Sequence, residues 1–148
     1  MAPTLDELQV LLPSSSIVLG ARAVDRDDAI RQAGTLLTRA GAVEPDYVEE
    51  MLERERIVST YVGDGIAMPH GTLTARGIVT SEGLSVLQLA EPVDWAGQPV
   101  TLVIGIAAHG RRYITLLSQL AAVLLDDDRA TSLRAARTTS AVRVLLAT

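Results

Sequence analysis

The chain has 148 residues, no cysteine and a formal net charge of −5 at pH 7. This length suits a single domain over residues 1–148, while the missing thiols exclude disulfides, thiolate metal sites and a cysteine nucleophile. The acidic balance argues against nucleic-acid binding, and an acidic N-terminus without an apolar run of roughly 20 residues predicts a cytoplasmic protein with no membrane span.

Three helices are predicted in the first half of the chain. Apolar residues recur at helical spacing in the segments 5–12, 26–40 and 46–57. Thr4 forms a capping box with Glu7 before the first helix, Asp25 caps the second, and Pro45 opens the third. The apolar stripe of the third helix ends in Glu55, so we expect this carboxylate to face the core and to need a partner.

Strand patterns alternate with helical patterns along the rest of the chain. Strands are predicted at 16–20, 83–90 and 100–108, with a turn-rich segment at 91–99. Further helices are predicted at 111–127, 129–137 and 140–147, the last capped by Thr139 or Ser140. This alternation predicts an α/β fold in which a central mixed β-sheet is flanked by helices on both faces.

The stretch STYVGDGIAMPHGT at 59–72 reads as strand, turn and strand, and it ends at Pro69, His70 and Gly71. Proline fixes its own φ, and glycine allows a sharp turn or a close approach by another backbone. An imidazole at a strand end suits an active site in an α/β sheet, and it is a good neutral nucleophile at neutral pH. The alternative is a histidine that only binds a turn carbonyl.

Further polar residues near this stretch are candidates for the same site. Arg54 is suited to clamp a phosphate or carboxylate, and Glu55 to orient an arginine or imidazole. Ser59 and Thr60 supply hydroxyl donors, and His109 follows a buried strand. Their plainer interpretations are a solvated helix end, ordinary strand residues and a surface-loop histidine. No metal-binding spacing accompanies the two histidines, so we expect no metal and no cofactor.

The combined pattern resembles a known family. The segment YVEEMLERERIVSTYVGDGIAMPHGT, at 47–72, is similar to the signature of the mannitol/fructose-type IIA components of the bacterial sugar phosphotransferase system. Later segments, PVDWAGQPVTLVIGIAA and LLSQLAAVLL, also resemble that family, so the similarity runs from about residue 5 to 146. The resemblance implies a phosphotransferase component that works through a phosphohistidine.

The resemblance also implies roles for individual residues. His70 would accept a phosphoryl group from the phosphocarrier HPr on Nε2, as a tele-phosphohistidine, and pass it to a cysteine of a IIB domain. Arg54 would pair with the phosphoryl oxygens, and Glu55 and Thr60 would support that shell. Donors around Ser59 and Gly71 would complete it. Contact with a membrane permease would then run only through IIB and IIC.

One position departs from the family. Where its members usually carry a second histidine, after the GIAA strand, this chain has Tyr113, and His109 lies four residues earlier. Three interpretations are open: Tyr113 replaces only the hydrogen bond of that histidine, His109 moves in from its loop to take its place, or phosphoryl transfer is slower, as suits a regulatory relative. Arg111 and Arg112 add positive charge that would partly compensate.

The sequence leaves the biological role open and predicts a docking surface. The chain serves uptake of mannitol or fructose, with mannitol favoured by the GIAMPHGT and IGIAA segments, or it is a regulatory nitrogen-type IIA module, or it only binds. For docking, we expect an exposed apolar ring of Ile66, Met68 and Leu73, with Arg54 and Arg76 beside it.

Overall fold

The computed structural model describes residues 3–72 and 78–147, so Leu73 and Arg76 lie outside the described residues. The helices are α1 (Leu5–Leu11), α2 (Arg26–Arg39), α3 (Tyr47–Ile57), α4 (Gly110–Leu124), α5 (Asp127–Arg134) and α6 (Thr139–Leu146). The strands are β1 (Ile17–Ala21), β2 (Tyr61–Gly63), β3 (Ile66–Ala67), β4 (Gly83–Trp95) and β5 (Gln98–Ala107). A short 3-10 turn at Ser14–Ser16 leads into β1.

The strands form one mixed sheet in the order β1-β4-β5-β3-β2. β1 runs parallel to β4 and β3 parallel to β5, whereas β4–β5 and β2–β3 are antiparallel. One apolar core joins the sheet to α1, α4, α5 and α6, and a second joins the opposite face to α2 and α3. The predicted mixed sheet with helices on both faces is therefore confirmed.

The hairpin of β4 and β5 is longer than the sequence pattern predicts. The two strands run through the segment 91–99, and only Ala96 and Gly97 remain as a turn, at φ +53° and +91°. The segment was predicted to be turn-rich because it contains prolines, which disfavour strand pairing. This prediction was wrong. A shift in register between Gln88 and Val93 takes the first of these prolines out of the ladder.

Two of the predicted helix caps are confirmed. The Thr4–Glu7 capping box is present, and the Asp25 side chain accepts from the backbone N–H of Asp28. The predicted cap of α6 was wrong by one residue, because the Thr138 hydroxyl accepts from Ala141 N–H.

Within 3–72 and 78–147, no helix is both long enough and apolar enough to cross a membrane.

Candidate functional site

His70 lies just beyond β3, where the chain still follows the neighbouring strand β5. The backbone N–H of Ile106 donates to Pro69 O at 3.0 Å, and His70 stands opposite Ile106 in a parallel bridge. Its side chain is 5% exposed. The imidazole is therefore held at the carboxyl edge of two parallel strands, the usual place for a site in an α/β sheet.

The surroundings of the imidazole fix both its tautomer and its charge. Nδ1 lies 2.9 Å from Met68 O, and a carbonyl can only accept, so Nδ1 carries the proton and Nε2 the lone pair. Burial lowers the pKa of His70 from 6.5 to about 4, and the nearby Arg54 charge also lowers this pKa. The Met68 carbonyl and the Glu55 carboxylate raise the same pKa, but by less than burial lowers it. At neutral pH the ring is thus a neutral nucleophile with its lone pair on Nε2.

Glu55 is 3% exposed and lies at the centre of a buried hydrogen-bond network. Its carboxylate accepts from Thr60 N–H at 2.9 Å, from Thr60 Oγ1 at 2.5 Å and from Trp95 Nε1 at 3.0 Å. The prediction that this carboxylate needs a partner is confirmed. Trp95 was missed by sequence reasoning, although the only tryptophan of the chain had to place its N–H on some acceptor once buried.

Thr60 connects this network to the histidine through the backbone. Thr60 O accepts from Met68 N–H at 3.0 Å, and Met68 O faces Nδ1 of His70. The Thr60 hydroxyl donates to Glu55, so this residue supports the site indirectly. The half-buried Ser59 lies beside it, and its Oγ accepts from Tyr61 N–H at 3.2 Å.

Gly71 has a role that differs from the one expected. Its N–H donates to Tyr47 Oη at 2.8 Å, so it is already engaged inside the protein rather than free to bind a phosphoryl oxygen. Glycine is required here because a Cβ would lie 2.5 Å from Cε1 of the Tyr47 ring. Sequence reasoning missed this contact, although a phenol that is buried needs a hydrogen-bond partner.

Arg54 and Tyr113 lie near the imidazole on separate helices. The Arg54 guanidinium donates from Nη1 to Val58 O at 2.6 Å, which leaves it further N–H groups for an anion. The Tyr113 ring meets the imidazole edge to face, with centroids 4.8 Å apart and planes at 72°. Of the residues proposed to replace the second histidine, Tyr113 is the one in ring contact with His70.

The other compensating residues are placed less favourably. His109 is exposed at the start of α4 and makes no side-chain cap bond there. Arg112 is held by Glu82 at 2.8 Å and by Glu7 at 3.5 Å, so much of its charge is already balanced. Arg111 is exposed on the first turn of the same helix.

The predicted apolar ring around the histidine was wrong for two of its members. Ile66 is 0% and Met68 3% exposed, because β3 is covered by β5 and β2 on its two sides and by helices on its faces. Among the exposed large apolar side chains, Ile57, Val58, Val62 and Ile114 are close in sequence to Arg54, Thr60 and Tyr113.

The arrangement can perform one kind of chemistry well. A neutral imidazole with its lone pair fixed on Nε2 attacks an electrophile, and a nearby guanidinium favours an electrophile that carries negative charge. Among the described residues, no group of three or more His, Asp or Glu side chains could hold a metal ion. The fold and the site thus define an α/β domain with a buried histidine whose geometry suits a nucleophile.

Comparisons with known proteins identify the family. Residues 10–148 match the family model of the phosphoenolpyruvate-dependent sugar phosphotransferase system, EIIA 2. The mannitol-specific phosphotransferase enzyme IIA component of Halalkalibacterium halodurans is 44% identical over 120 residues, which cover 81% of this chain and 83% of that protein. The chain belongs to the EIIA type 2 family, and it is a phosphocarrier of the sugar phosphotransferase system.

Solved structures of IIA proteins share this fold. One is the complex of enzyme IIAMTL and phosphorylated enzyme IIBMTL from Escherichia coli, with a TM-score of 0.84 and 37% identity, covering 91% of this chain and 96% of that one. Another is the nitrogen regulatory protein IIA-Ntr from Neisseria meningitidis, with a TM-score of 0.83 and 27% identity, covering 95% of this chain and 99% of that one.

Proposed function

We propose that His70 is the residue that carries the phosphoryl group. The observation that supports this most directly is the Met68 carbonyl 2.9 Å from Nδ1, which leaves the lone pair of a neutral ring on Nε2. Nε2 attacks phosphorus, the Nε2–P bond forms, and the P–N bond to the phosphohistidine of HPr breaks. In the second step the cysteine thiolate of a IIB domain attacks phosphorus, the S–P bond forms, the Nε2–P bond breaks, and His70 returns to its neutral form.

Arg54 and Glu55 stabilise different parts of the phosphorylated state. A ring that keeps its proton on Nδ1 becomes cationic when Nε2 is phosphorylated, and the phosphoryl oxygens carry close to two negative charges. The Glu55 carboxylate favours the cationic ring, since it is one of the groups that raise the pKa of His70. The Arg54 guanidinium faces the oxygens, and charge neutralisation of this kind is the main aid that phosphoryl transfer needs.

Both partners dock on the surface around His70. Apolar contacts for this docking would come from the exposed side chains of Ile57, Val58, Val62 and Ile114, which are close in sequence to Arg54, Thr60 and Tyr113. A IIB partner is supported by the relative solved in complex with phosphorylated IIBMTL, and HPr by family membership. The carrier acts in the cytoplasm and meets the membrane permease through IIB and IIC. The interface is small and transient, because each partner has to leave quickly.

The sugar is of the mannitol or fructose type, and mannitol is favoured. The relative from Halalkalibacterium halodurans that is 44% identical is mannitol-specific. A regulatory role is the second candidate function. It is favoured by Tyr113 in the place of the family's second histidine, and by the likeness to IIA-Ntr at a TM-score of 0.83. In that case the phosphorylation state of His70 controls the affinity for a protein partner.

Intact-mass analysis tests the proposal. The wild type, His70→Gln and His109→Gln are incubated with phosphoenolpyruvate, enzyme I and HPr. We expect one acid-labile phosphoryl group on the wild type and on His109→Gln, and none on His70→Gln. Labelling of His70→Gln, or an unlabelled wild type beside charged HPr, would contradict the proposal. Adding a mannitol-type IIB domain separates the two roles: rapid discharge supports transport, whereas a stable phosphoprotein supports regulation.

A further inference from the structure

The strand ladder beside His70 contains a side-chain hydroxyl that bonds both backbone groups of its last rung. Ile106 N–H donates to Pro69 O, and the next rung of a parallel ladder would join Gly71 N–H to Ile106 O. The Tyr47 hydroxyl lies between these two groups. It accepts from Gly71 N–H at 2.8 Å and donates to Ile106 O at 2.7 Å. His70 is therefore held between a direct rung and a rung relayed by a tyrosine.

The same tyrosine fixes a helix to this point of the sheet. Tyr47 is the first residue of α3 and is 1% exposed, and its ring fills the space that a Cβ on Gly71 would need. Arg54 and Glu55 lie further along that helix. Through one side chain, the loop that carries the imidazole is tied both to β5 and to the helix that carries the two charges around it.

The hydroxyl stays protonated under all ordinary conditions. Burial raises the pKa of Tyr47 to about 12, although the hydrogen bond from Gly71 N–H lowers this pKa. A protonated phenol can donate one hydrogen bond while accepting another, as this relay requires.

We propose that Tyr47 is a positioning residue for phosphoryl transfer: its hydroxyl, relaying a rung between Gly71 and Ile106, sets the direction in which Nε2 of His70 points. This inference rests on the proposed function of His70. Tyr47→Phe keeps the ring against Gly71 but removes the relay, so the two backbone groups either close into a direct rung or stay unpaired. Either change rotates or loosens the imidazole. Because a misplacement of about 1 Å can cost roughly 100-fold in rate, we expect a 10- to 100-fold slower reaction at His70.

Tyr61→Phe is the matched control. The Tyr61 hydroxyl also accepts from a glycine N–H, that of Gly65 at 3.3 Å, but it does so at the turn between β2 and β3, away from His70. Both variants lose one phenol hydroxyl next to a glycine. A general effect of such a loss on stability would therefore act on both.

The first experiment measures how fast phosphoramidate phosphorylates each variant, by intact mass at a temperature where circular dichroism shows all of them folded. A small donor removes docking from the comparison. We expect Tyr47→Phe to react 10- to 100-fold more slowly than the wild type and Tyr61→Phe to react like the wild type. Equal rates for Tyr47→Phe and the wild type would overturn the inference. If Tyr61→Phe slowed as much as Tyr47→Phe, the positioning role would likewise be refuted.

The second experiment records the ¹⁵N resonances of the His70 imidazole and does not depend on transfer. We expect Tyr47→Phe to move them from the pattern of a ring protonated at Nδ1 toward a mixture of tautomers, and Gly71→Ala, which displaces the tyrosine ring, to move them in the same way. Unchanged resonances in Tyr47→Phe would overturn the inference even if the wild type reacts. A wild type that phospho-HPr does not label at His70 would instead refute the proposed function, and the ¹⁵N result would still decide the role of Tyr47.

Discussion

Lowering the pH from 7 to 5 should leave His70 almost entirely neutral. Burial lowers its pKa to about 4. With that value, about 90% of the rings are neutral at pH 5, whereas a histidine of ordinary pKa, ~6.5, would be only about 3% neutral. The Nε2 lone pair thus remains available, and the rate of phosphoryl acceptance should lose no more than about a tenth from this cause.

The same shift makes the folded state less stable in acid. The pKa of His70 is lower in the folded than in the unfolded chain, so the unfolded chain binds more protons between the two values. Stability is therefore full above about pH 6.5 and falls as the pH drops toward 4. The cost at pH 4.5 is about 2 kcal/mol. His70→Gln lacks this titration and should lose about 2 kcal/mol less than the wild type between pH 7 and 4.5.

Two measurements check this prediction. The proton and carbon resonances of the two imidazoles are followed by NMR from pH 8 to 3.5, with His70→Gln to assign them. Urea unfolding at pH 7 and 4.5 then gives the free energies of unfolding for both proteins. An inflection for His70 between pH 6 and 7, or the same acid loss in the wild type and His70→Gln, would refute the reasoning from burial.

Three further outcomes follow from the contacts around the site. Trp95→Phe should lower the free energy of unfolding by about 1.5–3 kcal/mol, because Glu55 loses a buried donor; urea unfolding measures this, and an unchanged midpoint would argue against the network. Gly71→Ala should cost about 1–3 kcal/mol, since the new methyl meets the Tyr47 ring at 2.5 Å; the penalty should shrink in a Tyr47→Leu background, and an equal penalty would exclude this contact as its cause. Arg54→Gln should slow labelling by phospho-HPr about 10- to 100-fold, with Arg54→Lys in between, whereas a wild-type rate for Arg54→Gln would remove Arg54 from the site.

Much of the site was predictable because its residues come from one continuous stretch. Arg54 and Glu55 end α3, Thr60 precedes β2, and His70 follows β3. Helical spacing placed Glu55 on the core side, and the proline and glycine around His70 marked a strand end. The local sequence pattern therefore indicated both the two charged residues, Arg54 and Glu55, and the histidine.

The remaining contacts depend on pairings between distant parts of the chain. Trp95 reaches Glu55 from the far end of a hairpin, which the sequence pattern interpreted as a turn-rich segment because of its prolines. The Tyr47 hydroxyl meets Ile106 O and Gly71 N–H only after α3 packs on the sheet. Ile66 belongs to a strand of two residues, Ile66–Ala67, which is too short to show an alternation that would reveal burial on both sides.

The site combines a buried imidazole with a buried carboxylate, and each is fixed on the side away from the reaction. Nδ1 is held by Met68 O, and the Glu55 oxygens by Thr60 and Trp95, so none of these bonds would have to break in the proposed phosphorylation of Nε2. In the proposed phosphohistidine, the positive charge of the ring would be met by a carboxylate already in place, which is electrostatic preorganisation. With His70 as the proposed carrier residue, the ring would alternate between two charge states, and this arrangement permits both without repacking of the core.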